Sequence, residues 1–203
     1  MFFKQIRHRG DNFSYIIADD STKEAAIVDP GFNAEAIVRV VESQGLSAKY
    51  VINTHSHADH TADNEALKER YDARIVAYKK SSVKKDVSVE DGGILRLGRV
   101  SIRVIHTPGH TSDSVCLLVD GKLLTGDTLF VSECGRTDLP DGSPADMYHS
   151  LFGKLMKLDD DVEVYPGHDY GSGPKSTIGK EKRTNYTLVE RSLKEFLEFM
   201  QTP

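Results

Sequence analysis

The chain has 203 residues, 38% of them apolar, which is enough for one domain with a full core and too few for two comfortable ones. Its formal net charge of −5 gives no general electrostatic reason to hold nucleic acid or an anionic membrane. No segment approaches the ~20 apolar residues that cross a bilayer, and the N-terminus lacks the apolar run and small-residue cleavage site of a signal peptide. The expectation is a single unit spanning residues 1–203, soluble and cytoplasmic, acting on a small molecule. Cys116 and Cys134 form neither a disulfide framework nor a zinc–thiolate spacing and read as free thiols.

Taken in order, Phe13 to Ala18 and Ala25 to Val28 are β-rich runs around the turn signal at Asp19 to Thr22, which predicts a hairpin. Asn33 is a plausible N-cap, and Ala36, Ile37, Val40 and Val41 recur at helical spacing until Gly45. Ala48 to Asn53 predicts a buried strand, and Ala62, Ala66, Leu67 and Tyr71 mark a second helix after it. Arg74 to Ala77 can form a strand, while Lys79 to Asp91 is polar, lysine-rich and most simply solvated. Ile94 to Leu97 with Val100 to Ile105, and Val115 to Val119 with Lys122 to Thr125, predict two hairpins around Gly98-Arg99 and Asp120-Gly121. Pro144 to Leu158 carries a helical stripe, Val162 to Tyr165 reads as the last strand, and helices follow around Ile178 to Thr184 and Leu188 to Met200. Strands first and helix afterwards in each half predicts an α/β (α+β) protein, two sheets face to face with helices outside.

The chemistry begins where the strand ending at Asn53 stops. Thr54-His55-Ser56-His57-Ala58-Asp59-His60 packs three imidazoles and a carboxylate into a stretch read as a loop, free to converge on one point. Three later stretches repeat a strand, a glycine and a residue able to bind metal: Gly109-His110, Gly126-Asp127 and Gly167-His168. Glycine lets the backbone turn sharply where a strand ends, so the repeats deliver their side chains to one rim. Five histidines and two aspartates make an N/O set suited to zinc, iron or manganese, too many for one tetrahedral ion and suited to two ions sharing a carboxylate. His8, between two arginines, reads as solvated, and His106 and His149 are left out of the set. Arg136 offers a fork for a substrate carboxylate or a structural clamp, and Tyr170 a hydrogen-bond donor. Lys175, Lys180, Lys182 and Arg183 read as a solvated face.

The His-x-His-x-Asp-His string, with His110, Asp127 and His168 downstream, resembles the metallo-β-lactamase superfamily, whose four-layer αββα sandwich of two mixed β-sheets matches the predicted element order. Cys134-Gly135-Arg136-Thr137-Asp138, Tyr148-His149-Ser150 and Tyr165-Pro166-Gly167-His168-Asp169-Tyr170 resemble its glyoxalase II and persulfide dioxygenase branch. Carried over by position, the resemblance implies that His55, His57 and His110 hold one divalent ion (Zn, Fe or Mn), that Asp59, His60 and His168 hold a second, and that Asp127 bridges them. Asp59 and Asp127 are then the catalytic carboxylates, and Arg136 and Tyr170 the substrate contacts. The first reading is a metal-dependent hydrolase, glyoxalase II-like, that opens a small thioester or related ester with metal-activated water. The alternative is an iron persulfide dioxygenase holding a single Fe(II) through His55, His110 and Asp127. A third, a metal-binding scaffold without turnover, is set against the intact ligand set. Gly-Arg-Thr-Asp and Tyr-His-Ser lean to the dioxygenases, whereas Gly167, where those enzymes tend to have alanine, leans to the hydrolases. Glyoxalase II also carries a long C-terminal helical domain that helps bind glutathione, and this chain ends soon after its last predicted strand. The expected partner is therefore a small thioester or thiol-derived substrate, with glutathione as its carrier left open, no nucleic acid, no membrane and a homodimer left open.

Overall fold

Apolar side chains on both faces of a strand require a layer on each side, and the chain supplies four layers. The computed structural model describes residues 1–8, 10–32 and 34–201. The first sheet takes β1 (Phe2–Arg7), β2 (Phe13–Ala18), β3 (Glu24–Val28), β4 (Ser47–Ile52), β5 (Arg74–Tyr78) and β6 (Val87–Val89) in that spatial order. Pairing is antiparallel from β1 to β3 and parallel from β3 to β6. The second sheet takes β7 (Ile94–Leu97), β8 (Val100–His106), β9 (Val115–Val119), β10 (Lys122–Gly126), β11 (Glu163–Pro166) and β12 (Ser176–Thr177), and only β10 and β11 pair in parallel.

The two-residue period of β2 shows why the sheets are buried on both faces. Tyr15 and Ile17 point into a core shared with Ile102, Val104 and Leu117 of the second sheet, whereas Ile16 and Ala18 meet Ile37 and Val41 of α1 (Ala34–Ser43) and Leu67 of α3 (Asn64–Tyr71). On the far side, Cys116, Leu123 and Val164 meet Met147 and Leu151 of α4 (Pro144–Gly153), Ile178 of α5 (Ile178–Thr184) and Phe196 of α6 (Leu193–Met200). The result is the αββα sandwich that the element order predicts.

Several boundaries differ. β1 is an edge strand without a clean alternation, placed by Phe3, whose ring meets Tyr15 and Tyr165 between the sheets. β6 is three residues inside the stretch expected to be polar, and β12 follows the strand expected to be last. The stripe from Pro144 breaks after Gly153 into a 3-10 turn at Leu155–Lys157. The final helix begins only after Ser192, whose capping box with Glu195 fixes its start, five residues later than the stripe suggests. Asn33, the expected N-cap, lies outside the described residues.

The turns at the two ends of the sandwich do different work. At one end Asp19 accepts hydrogen bonds from the Ser21 N–H at 2.6 Å and the Thr22 N–H at 3.2 Å within the β2–β3 turn, and from the Arg99 N–H at 2.5 Å in the β7–β8 turn. One carboxylate thereby ties the two sheets together, and the Ser21 hydroxyl, which also donates to it at 2.5 Å, with these backbone donors holds its pKa far below the ordinary carboxylate range. A lowered folded-state pKa means that the contribution is present above the unfolded value of about 4 and fades as pH falls below it. Asp19→Ala should therefore lower Tm by several degrees at pH 7, with the gap from the parent narrowing between pH 5 and pH 3 in a calorimetric series, and with no change in metal content.

Candidate metal centre

The opposite end gathers the strand ends that carry the histidines. β3 and β4 run parallel, as do β8, β10 and β11, so residues following each of them emerge at one rim. His55 and His57 follow β4 directly. Asp59 and His60 do not lie on a loop as expected but in α2 (Ala58–Thr61), a single helical turn that points both side chains back over the strand end. His110 follows β8, Asp127 ends the turn after β10, and His168 follows β11. Gly126 makes that turn with φ +48°, and a Cβ there would sit 2.4 Å from Thr54 Oγ1, so only glycine lets β10 close against the first histidine strand.

All seven side chains meet. His55, His57 and His110 offer three ligand atoms within 4.8 Å of one another, as do Asp59, His60 and His168, and as do His55, His60 and Asp127. Asp127 faces both sides: Oδ2 lies 3.2 Å from His168 Nε2 and 3.6 Å from His110 Nε2, and Oδ1 lies 3.4 Å from His60 Nε2. The donors fit a cation. His57 Nδ1 sits 3.1 Å from His55 Nε2 and 3.0 Å from His110 Nε2, three ring nitrogens that one shared proton cannot satisfy, and Asp127 Oδ1 is buried without a hydrogen-bond partner.

The electrostatics divide the cluster. Burial pushes the pKa of His55 well below the ordinary imidazole value and that of His110 below it. Burial also opposes charge on His60 and His168, but Asp127, Asp29 and Asp59 overcome it at His60, holding it to about 9, and Asp127 and Asp59 hold His168 to about 10. His168 keeps Asp59 ionised, and Asp127 stays ionised despite its burial because His60 and His168 face it. Burial raises Cys134, on the wall of the site, to about 11, which leaves no thiolate nucleophile there.

Residues read differently in the sequence orient the ligands. Asp29, directly after β3, accepts from the Thr54 N–H at 2.7 Å and the Thr54 hydroxyl at 2.6 Å, and its Oδ2 lies 3.1 Å from His60 Nδ1. Its backbone φ is +50°, a left-handed conformation that aims the side chain inward. An Asp directly after an apolar strand is the same signal that marks Asp127, but Pro30-Gly31 makes it read as a turn. The Asn12 amide donates to Asp59 Oδ2 at 3.1 Å, and His110 Nδ1 donates to the Arg136 carbonyl at 2.9 Å, turning Nε2 inward. Asp29→Asn removes the charge that orients His60 and should weaken zinc affinity by ~10–100-fold, read by competition with a chromophoric chelator, while the circular dichroism spectrum is retained.

His8 is buried, not solvated: its Nε2 lies 2.6 Å from Ser14 Oγ beneath the rim. His106 stacks on Tyr78 and His149 is exposed on α4, both apart from the cluster. Arg136 and Tyr170 line a cavity of about 570 Å³ together with His110 and Asp127. Tyr170 stacks on His168, and its hydroxyl keeps its proton because burial raises its pKa to about 12. The Arg136 fork closes on Asp138 at 2.6 Å through both nitrogens. Lys175 and Lys182 pair with Glu163 and Asp160, as a solvated face would.

A family model described as "Metallo-beta-lactamase superfamily" matches residues 9–86 and 79–168. The human protein "Persulfide dioxygenase ETHE1, mitochondrial" is 33% identical over 192 residues, covering 93% of this chain and 75% of its own. The "Hydroxyacylglutathione hydrolase" of Anaeromyxobacter dehalogenans is 36% identical over 174 residues, covering 85% and 67%. Among solved structures, ETHE1 from Myxococcus xanthus superposes with a TM-score of 0.95 at 35% identity, covering 100% of this chain and 91% of that one. No helix of the described residues is long and apolar enough to cross a membrane.

Proposed function

Since the chain belongs to the metallo-β-lactamase superfamily, we propose that it is a metal-dependent hydrolase that cleaves a small thioester or related ester with water. The observation that carries this reading is the duplicated cage: three ligands on one side, three on the other, and one carboxylate facing both. In this reading His55, His57 and His110 hold one ion, Asp59, His60 and His168 the other, and Asp127 joins them. Divalent cations held there supply Lewis acidity and a nucleophile drawn from water near neutral pH.

The chain's own groups do the rest. Asp127 fixes the two halves relative to each other, and Asp59, the more open of the two cage carboxylates with a side chain 38% exposed, stays ionised beside His168 at the mouth. Tyr170, whose hydroxyl stays protonated, lines the cavity and is placed to serve as a donor. Arg136, closed on Asp138 through both nitrogens, lines the cavity beside them.

A second reading, an iron persulfide dioxygenase using His55, His110 and Asp127, is favoured by the extent of likeness to the two ETHE1 proteins, 93% and 100% of the chain. Metal analysis of protein purified without added metal or chelator, paired with two assays, separates them. About two metal ions per chain with thioester cleavage is the expected result. About one iron with oxygen uptake on a persulfide overturns it.

A further inference from the structure

The cavity beyond the histidines has a wall that the metal ligands do not require, part of it packed on the core through Phe199 and Met200. One side is the segment from Phe130 to Asp138, and the other is the 3-10 turn Tyr186–Leu188 with Phe199 and Met200 at the end of α6. The two sides are tied: Glu181, fully buried, accepts from the Ser132 N–H at 2.7 Å and from the Asn185 amide at 2.9 Å, and that amide also donates to the Glu133 carbonyl at 3.2 Å. The cavity is thus preformed. Its surface is aromatic and thioether, with Phe130 edge-on to Tyr170 at 5.0 Å and Tyr186 edge-on to Phe199 at 6.0 Å.

Its charge balance is the second observation. Apart from Asp127, the charged groups that line it are two carboxylates, Glu133 and Asp138, against one guanidinium, and that guanidinium is closed on Asp138. Glu133 is held at the wall by the Tyr186 hydroxyl at 2.8 Å. Arg191, which does not line the cavity, stacks 4.3 Å over Phe199 and donates to the backbone carbonyls of Tyr186 and Val189. A tripeptide carrier with two carboxylates against one ammonium would bring net negative charge to this wall and leave the aromatic surface uncovered.

We propose that this cavity selects substrates whose non-reacting end is apolar and uncharged, with Phe199 and Met200 supplying the contact and Glu133 and Asp138 excluding anionic carriers such as glutathione. The selection rests on the hydrolase reading for its reaction and on the wall alone for its preference. The full metal-loaded chain is assayed with one acyl group, phenylacetyl, on two thiols: N-acetylcysteamine, which is neutral, and glutathione. The expected kcat/KM is at least ~10-fold higher for the neutral thioester. Phe199→Ala raises KM for it ~10-fold with kcat nearly unchanged, and Glu133→Lys or Asp138→Asn narrows the ratio at least ~3-fold through KM for the glutathione thioester. Binding of the uncleavable thioethers S-benzyl-N-acetylcysteamine and S-benzylglutathione, followed by calorimetry, gives the same ratio without turnover. Cleavage of neither thioester sinks the hydrolase reading and leaves the thioether ratio to decide the selection. A glutathione compound bound or cleaved as well as its neutral counterpart, or a ratio unmoved by Glu133→Lys, overturns the selection.

Discussion

Asp127→Ala should abolish turnover, with kcat falling ~1,000-fold or more and bound metal falling below one ion per chain by mass spectrometry. Groups that only orient a ligand are worth ~10–100-fold, and Asp127 contacts both halves of the cage directly, so its loss exceeds that range. Asp127→Asn keeps the shape and one acceptor oxygen but loses the charge, and should match the alanine variant in activity while staying closer to the parent in Tm. The metal-free proteins give an independent reading through pH. His60 and His168 have folded-state pKa values raised to about 9 and about 10, in part by Asp127. Their contribution to stability is full below the free imidazole value of about 6.5 and disappears as pH rises through 9 to 10. Breaking a buried pair of this kind costs about 3 kcal/mol or more. The metal-free alanine variant should therefore lie furthest below the parent near pH 6 and converge toward it near pH 10. A constant difference across that range would mean that the carboxylate is not the partner of these imidazoles.

The rim residues were legible because each signal is local. A β-branched run that stops at Asn53, followed by histidines at alternate positions, can place those side chains only at a strand end, and the glycine before His110, Asp127 and His168 marks three more such ends. What was not legible depends on contacts far apart in sequence. His8 looks solvated between two arginines, yet it is buried, and the β1–β2 pairing, which sets Ser14 opposite Ile6, brings the Ser14 hydroxyl to its ring. Asp29 looks like a turn residue because the proton it meets, on His60, arrives from 31 positions away across the parallel β3–β4 pair. The α6 boundary was misjudged because apolar spacing from Leu188 continues through Val189, whereas the capping box at Ser192 decides where hydrogen bonding begins. The wall of the cavity, made from two segments about 60 residues apart that no motif links, could be read only from the structure.

If the chain is the proposed two-ion hydrolase, Gly167→Ala should cut the bound metal from two ions per chain to one and lower thioester cleavage ~100-fold or more, because the space a methyl group would take is already shared by the two halves of the cage. A Cβ at position 167 would sit 2.3 Å from Asp127 Oδ1 and 2.9 Å from His60 Cε1, with the backbone of Gly126 at 3.1 Å behind it. Residue 167 cannot retreat, since its N–H donates to the Gly126 carbonyl at 2.8 Å and its own carbonyl accepts from the Phe13 N–H at 2.8 Å. The carboxylate must give instead. Oδ1 is the oxygen turned toward His60, so swinging it away costs the Asp59, His60 and His168 half its contact between Asp127 and His60 and leaves it only the Oδ2 contact to His168, while the new methyl group does not meet His55, His57 or His110. A two-ion hydrolase would then keep one ion and lose most of its rate. An enzyme working with one iron on His55, His110 and Asp127 would keep its metal and much of its activity after the same change. The variant thus asks whether the second half of the cage is in use, and retention of two ions with full thioester cleavage would show that Asp127 can yield to the methyl group without disturbing either.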